Sequence, residues 1–176
     1  MATVRSDRNQ RLSSAVALHF DAVWRMVRRL GVPEADADDA AQQVFLALDK
    51  RLADVTVERE RAFLMSVAVR IAANARRHLR RSREESGLDD ESASDELSPE
   101  GALERRQLLG ELDQALTLLA DDQRSVFVLY EIEGFSLPEI AQSLGIPLGT
   151  ATSRLRRARE LFETWLAARR ERGGEP

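Results

Sequence analysis

Apolar side chains recur along this chain at three- and four-residue spacing, and no segment alternates convincingly over a strand's length. The pattern therefore predicts helices only. Leu12, Val16, Phe20, Val23, Val27 and Leu30 mark the first, with Gly31 where a helix C-cap belongs. Ala37, Ala41, Val44, Phe45, Leu48 and Leu52 form the stripe of a second. Asp36, Asp38 and Asp39 fall in its expected first turn, where the helix dipole favours negative charge. In the third and longest, Phe63, Val67, Ile71, Ala75 and Leu79 step by four beside Leu64, Ala68 and Ala72. One face is then apolar, and the C-terminal end is ringed with Arg.

Ser98 and Pro99 read as N-cap and first residue of a fourth helix, with Leu108, Leu112, Ala115, Leu116 and Leu119 inward. A fifth starts at Asp121 or Asp122, carries Val126, Phe127, Leu129, Tyr130 and Ile132, and stops at Gly134. Ser136, Leu137, Pro138 and Glu139 make a capping box that opens a short helix ended by Gly145. A tight turn, GIPLG, leads into a final helix from about Gly149 to Ala168. At 100° per residue, Leu155, Ala158, Phe162 and Trp165 cluster with Ala151 on one side of that helix. Gly149, Ser153, Arg156 and Arg157 point the other way, in the manner of a helix-turn-helix recognition helix.

Charge divides the chain. Arg61 to Arg83 holds seven Arg and no acid, whereas Glu84 to Glu100 holds eight acids and no base. The acidic stretch, EESGLDDESASDELSPE, is rich in Ser and poor in large apolar residues, as a solvated linker is. The expected architecture is all-α: one helical domain over residues 1–83, a flexible acidic linker over 84–100 and a second helical domain over 101–176. A second basic block, Arg154 to Arg159, contains four Arg. It outweighs the formal net charge of −4 as a guide to partners, because Arg forks onto phosphate and guanine.

Composition removes other classes. There is no Cys, so disulfides, thiolate nucleophiles and Cys-based zinc sites are excluded together. His19 and His78 are far apart in sequence, and neither a metal nor a cofactor is expected. No stretch approaches the roughly 18 to 20 apolar residues of a membrane span, and the N-terminus lacks a signal-peptide core; the expected location is the cytoplasm.

The segment SLPEIAQSLGIPLGTATSRLRRARELF resembles the region-four helix-turn-helix of bacterial sigma factors, whose usual form is close to S-x-x-E-I-A-x-x-L-G-I-P-x-G-T-V-x-S-R-L-x-R-A-R. DADDAAQQVFLAL is similar to region 2.2 of the same family, and RAFLMSVAVRIAANARRHLRR to regions 2.3 and 2.4. With only regions two and four, the chain resembles an extracytoplasmic-function (group 4) sigma factor over about residues 12 to 168. Gln43 stands where Glu is usual, Ala40 where a larger apolar residue is, Phe63 where Trp is, and Arg70 where Asn is. In the recognition helix Ala151 replaces Val, and Thr152 replaces a common Arg or Lys, so the particular minus-35 sequence is left open.

The resemblance implies a non-catalytic protein that binds core RNA polymerase, on the clamp of the largest subunit and the flap of the second-largest, and reads promoter DNA. Core polymerase binding maps to Asp36, Asp39, Gln42, Gln43 and Phe45, although N-terminal capping explains the acids equally well. Reading of the minus-10 element as single-stranded DNA maps to a loop from about Leu52 to Glu60 and to Arg70, Asn74 and Arg77, with Arg76, Arg80 and Arg81 on phosphates. A solvated basic face is the alternative for these Arg. Phe63, Val67 and Ile71 are assigned to core. The minus-35 contacts map to Thr152, Ser153, Arg156 and Arg157, with Thr150, Arg154 and Arg159 on phosphates. A flap-binding apolar surface would come from Leu116, Val126, Leu129 and Tyr130, which core packing also explains. Many relatives are held inactive by an anti-sigma factor, often membrane-bound. A helix-turn-helix regulator that never binds polymerase accounts for the C-terminal half but not for DADDAAQQVF. A nuclease built on Asp36, Asp38 and Asp39 has no His or Lys placed for proton transfer.

Overall fold

The computed structural model describes residues 2–86 and 102–173, and every regular element among them is helical. The first unit contains α1 (Ala2–Arg29), α2 (Glu34–Arg51) and α3 (Glu60–Ser86), with a 3₁₀ turn at Val57–Arg59 before α3. The second contains α4 (Ala102–Thr117), α5 (Asp121–Phe127), α6 (Leu137–Leu144) and α7 (Leu148–Gly173). Between α5 and α6 the helix widens into a π-helical turn at Val128–Ile132. The expected cap at Ser98 and Pro99 and most of the acidic stretch lie outside the described residues, but α3 continues through Glu84 to Ser86, past the boundary expected at residue 83.

The helical stripes meet in one core. Val23, Met26 and Val27 of α1 with Leu30 just beyond it, Ala41, Val44 and Leu48 of α2, and Leu64, Met65, Ala68 and Ala72 of α3 are all buried. Each such Leu or Met contributes about 1.5–3 kcal/mol relative to exposure. The inward face of α3 keeps Leu64, Val67, Ala68 and Ala72 of the expected stripe and adds Met65 and Val69, while Phe63 and Ile71 lie partly buried at its edge. The apolar run from Ala62 to Val69 satisfies a four-residue step on two adjacent faces, and α3 packs against both α1 and α2.

Two ends also differ. α1 starts far before Leu12, at Ala2. α2 starts at Glu34, directly after Pro33, so its first-turn acids are Glu34 and Asp36, and Asp38 instead accepts a 2.9 Å hydrogen bond from Trp24 Nε1.

The two units share the core and join at a polar seam. Gly31 ends α1 in a left-handed conformation at φ +87°, and the bonds Gly31 N–H to Arg28 O (2.8 Å) and Val32 N–H to Val27 O (3.1 Å) complete a Schellman cap. Two buried guanidiniums close on it. Arg76 of α3 donates to Leu30 O and pairs with Asp121 at 3.2 Å, while Arg124 of α5 donates to Thr117 O and Leu119 O. Nearby, Glu133 pairs with Arg61 at 2.7 Å and Arg29 at 3.5 Å, its side chain only 7% exposed.

A Cβ on Gly31 would lie 2.5 Å from Arg124 Nη1, whereas one on Gly145, also at positive φ, meets open space. Gly145→Ala is therefore expected to cost about 1–2 kcal/mol of backbone strain, and Gly31→Ala that plus displacement of the seam. Urea unfolding of both variants checks the order; equal losses would mean that the seam is absent in solution.

Candidate nucleic-acid interface

The C-terminal helix-turn-helix is built by local rules. Ser136, at φ −72° and ψ 153°, is the N-cap of α6, and Glu139 accepts from its backbone N–H at 2.9 Å and its hydroxyl at 2.6 Å. These two bonds, the hydroxyl's first, hold the Glu139 carboxyl below the ordinary glutamate range. Gly145 ends α6 in the left-handed region at φ +65°, which allows Ile146 N–H to reach Ala141 O at 3.0 Å and turns the chain into α7. Ala151, Leu155 and Ala158 fix α7 on its inner side, and the Phe162 ring sits 5.0 Å from Phe127 and 5.9 Å from Trp165.

The outer side carries Thr152, Arg156, Arg157 and Arg159, all exposed, with Thr150, Ser153 and Arg154 half-buried. Most are already engaged. Thr152 and Ser153 hydroxyls donate to Leu148 O and Thr150 O within α7. Arg154 pairs with Asp122 at 2.9 Å, Arg156 with Glu160 at 2.6 Å and Arg159 with Glu131 at 2.6 Å. Arg159 also lies over the Tyr130 ring, and the Glu131 hydrogen bond raises its pKa further. Arg157 projects outward with no ion pair or side-chain hydrogen bond among the described residues.

In the first unit, Asp36, Asp39, Gln42 and Gln43 are exposed along α2, but Phe45 is buried and stacks on Phe20 at 6.2 Å. Phe45 is therefore core, and the exposed apolar side chains beside it are Leu46 and Phe20. Arg70, Asn74, Arg77 and Arg81 line one exposed face of α3, and Arg77 donates to Asn74 Oδ1. Arg76 departs from expectation: 7% exposed and held in the seam, it does not face a phosphate in this arrangement. The Arg80 side chain lies outside the described residues. Leu116, Val126 and Leu129 are buried and Tyr130 is half-buried, which places all four in or against the core.

Sequence reasoning missed Arg11, Arg124 and Glu133. Arg124 had a signal, a lone basic residue entering the run SVFVLY. Arg11 and Glu133 had none, because their partners lie 41 and more residues away. Among the described residues no cluster of three or more His, Asp or Glu could hold a metal, and no helix is long and apolar enough to cross a membrane.

A capped short helix, a left-handed turn and an Arg-bearing helix define a helix-turn-helix DNA-binding protein, here joined to a second helical unit with its own basic face. The profile of Sigma-70 region 2 matches residues 15–83, and that of Sigma-70, region 4, matches residues 109–162. The RNA polymerase sigma factor CnrH of Cupriavidus metallidurans is 33% identical over an alignment covering 98% of this chain and 95% of CnrH. The ECF RNA polymerase sigma factor SigE of Mycolicibacterium smegmatis is 29% identical over 86% of this chain, and the match spans 60% of SigE's length. The solved structure of CnrH in complex with the cytosolic domain of CnrY has a TM-score of 0.68 at 27% identity, covering 95% of this chain and 94% of that one. The Bartonella quintana sigma factor RpoE, solved with the anti-sigma factor NepR, shares the fold with a TM-score of 0.72 at 23% identity, over 88% of this chain and 96% of that one. The chain belongs to the sigma-70 family of RNA polymerase sigma factors, and within it to the extracytoplasmic-function type. This family directs promoter-specific transcription initiation and is not a family of enzymes.

The Glu139 cap titrates. Its folded carboxyl is depressed, so its contribution is present above the ordinary Glu value and is lost as pH falls through the depressed one. A ¹³C carboxyl titration by NMR is expected to place Glu139 below exposed reference glutamates. Ser136→Ala, which removes the larger of the two bonds, should return most of the difference; an unchanged midpoint would assign the shift elsewhere.

Proposed function

We propose that α7 reads the minus-35 element in duplex DNA while the exposed face of α3 and the loop before it read the minus-10 element as a single strand. The observation that carries this is the outward set Thr152, Arg156 and Arg157 on a helix docked by a capped α6 and a left-handed turn. Early residues of such a helix reach base edges, and Arg can fork onto guanine O6 and N7. Ser153 joins the base-reading set, and Thr150, Arg154 and Arg159 serve the adjoining backbone. On α3, Arg70, Asn74 and Arg77 face the unpaired bases, and Arg81 suits phosphate.

Core RNA polymerase is the scaffold in this reading. Asp36, Asp39, Gln42 and Gln43 present a polar face to the clamp of the largest subunit, with Leu46 and Phe20 supplying apolar contact in place of Phe45. The flap of the second-largest subunit takes the second unit. The two DNA-reading surfaces are separately weak on an acidic chain, and a shared scaffold raises the effective concentration of each for its element. A protein inhibitor of the anti-sigma class fits the same chain, as CnrH was solved with the cytosolic domain of CnrY. These assignments place the chain's work in the cytoplasm.

Run-off transcription with purified core polymerase and fragmented genomic DNA tests the reading: defined start sites are expected only with the chain present. Tight, sequence-specific operator binding by the chain alone would favour a polymerase-independent regulator. On a mapped promoter, Arg157→Ala is expected to cost about 1–3 kcal/mol of affinity and to relax preference at one minus-35 position. A uniform loss on every promoter would make Arg157 a phosphate contact instead. Asp39→Ala should lower core polymerase affinity without changing promoter choice; normal core binding would leave Asp39 no role at the clamp.

A further inference from the structure

The loop assigned to the minus-10 element has almost no support of its own. Between the end of α2 and Glu60, only Leu52 and Val55 are buried; Ala53, Asp54, Thr56, Val57, Glu58 and Arg59 are all exposed. Its backbone bonds are local ones, Asp54 N–H and Val55 N–H to Arg51 O and Arg59 N–H to Thr56 O. Such a segment is held in one shape only if something outside it binds its main chain.

Arg11 does so from α1. Its Nε donates to Glu60 Oε1 at 2.8 Å, its Nη1 to Leu52 O at 2.9 Å and its Nη2 to Val55 O, and Nη2 also pairs with Glu60 at 2.7 Å. One planar fork thus fixes both buried anchors of the loop and the first residue of α3. Arg8, one turn earlier, adds a grip on Asp49 through its carbonyl at 2.8 Å and its carboxylate at 2.7 Å. Glu60 is 4% exposed, so its charge depends on Arg11 for neutralisation. Beside this clasp runs an open groove of about 340 Å³ between α1 and the loop, rimmed by Leu18 and Val57, which are 75% and 62% exposed.

We infer that Arg11 is the positioning residue of the minus-10 reading loop: it touches no DNA, and it sets the loop in the shape that receives the unpaired strand before the strand arrives. This rests on the reading of the Leu52–Glu60 loop given above. Pre-ordering matters because a loop frozen only on binding takes its ordering cost out of the affinity. Lys cannot replace Arg here. A single ammonium reaches Glu60 or one carbonyl, but it lacks the fixed fork that spans Leu52 O and Val55 O together.

The test uses holoenzyme reconstituted with core polymerase and, as probe, the non-template single strand of a promoter mapped by run-off transcription. Arg11→Met is expected to weaken single-strand binding about tenfold, the equivalent of about one charge-assisted hydrogen bond, while minus-35 duplex binding and core affinity stay within about twofold. The same variant also melts earlier, because Glu60 is left buried and unpaired. Arg11→Met combined with Glu60→Gln removes that charge and is expected to recover the melting temperature but not single-strand binding. Arg11→Lys should likewise recover more stability than binding. Recovery of both properties in the double variant would reduce Arg11 to a structural ion pair and overturn the inference. Val57→Gly, within the loop itself, separates the two levels: if it leaves single-strand binding intact, the loop reading fails and takes the Arg11 role with it. If Val57→Gly weakens binding and Arg11→Met does not, the loop reading stands and the Arg11 role alone is lost.

Discussion

The structure turns on two guanidiniums buried at one helix end. Arg76 and Arg124 converge on Gly31, where a Cβ would displace the Arg124 guanidinium at 2.5 Å and crowd Arg76 Cδ at 3.2 Å. Removing a guanidinium from water is tolerable only if its donors find acceptors and its charge finds compensation. The acceptors are main-chain carbonyls at the ends of helices: Leu30 O for Arg76, Thr117 O and Leu119 O for Arg124. Those carbonyls lack partners within their own helices and carry the negative end of the helix dipole. Asp121 adds a full charge beside Arg76. The carbonyl bonds stay within each unit, the Arg76–Asp121, Arg29–Glu133 and Arg61–Glu133 pairs cross between them, and the shared apolar core of α1, α3, α5 and α6 closes over the result.

This seam also marks where sequence reading succeeds and stops. Helix type and order follow from local spacing, and so do the αL turns at Gly31 and Gly145 and the Ser136–Glu139 cap, because each is settled within a few residues. The candidate site was legible to the same extent: α7 has its apolar and Arg faces where 3.6-residue geometry puts them. What failed were choices that only a distant partner makes. Seven Arg without an acid say that α3 is basic, but not that Arg76 turns inward, since that depends on Leu30 and Asp121. Phe45 belongs by spacing to the apolar stripe of α2; only the family resemblance also puts it at the clamp, and Phe20 of α1, stacked on it, keeps it in the core. Asp38 looked like dipole compensation until Trp24 claimed it.

The ion pairs on α7 give the recognition helix its own competitors. Asp122, Glu131 and Glu160 occupy Arg154, Arg159 and Arg156 in the free chain. These pairs are largely exposed and each is worth little, so they do not lock the helix. They do hold three cationic side chains in extended, ordered positions and lower the net field around the reading head. A phosphate backbone that releases counterions can outcompete them, while a chance polyanion of lower charge density gains less.

The π-helical turn at Val128–Ile132 has a consequence for how this chain tolerates change in length. Such a turn holds one residue more than a regular helix would, with Glu133 N–H reaching back five residues to Val128 O at 3.0 Å. Deleting any one of those five residues would restore an ordinary α-helix with every hydrogen bond intact, and so would look harmless locally. Because five π residues turn the chain about as far as four α residues, everything beyond would keep its direction, and the loss would be confined to the contacts of the deleted side chain, such as the Glu131 pair with Arg159. The segment stores its extra residue without passing it on, so a single-codon deletion there would leave the seam, α6 and α7 in much the same relation to one another.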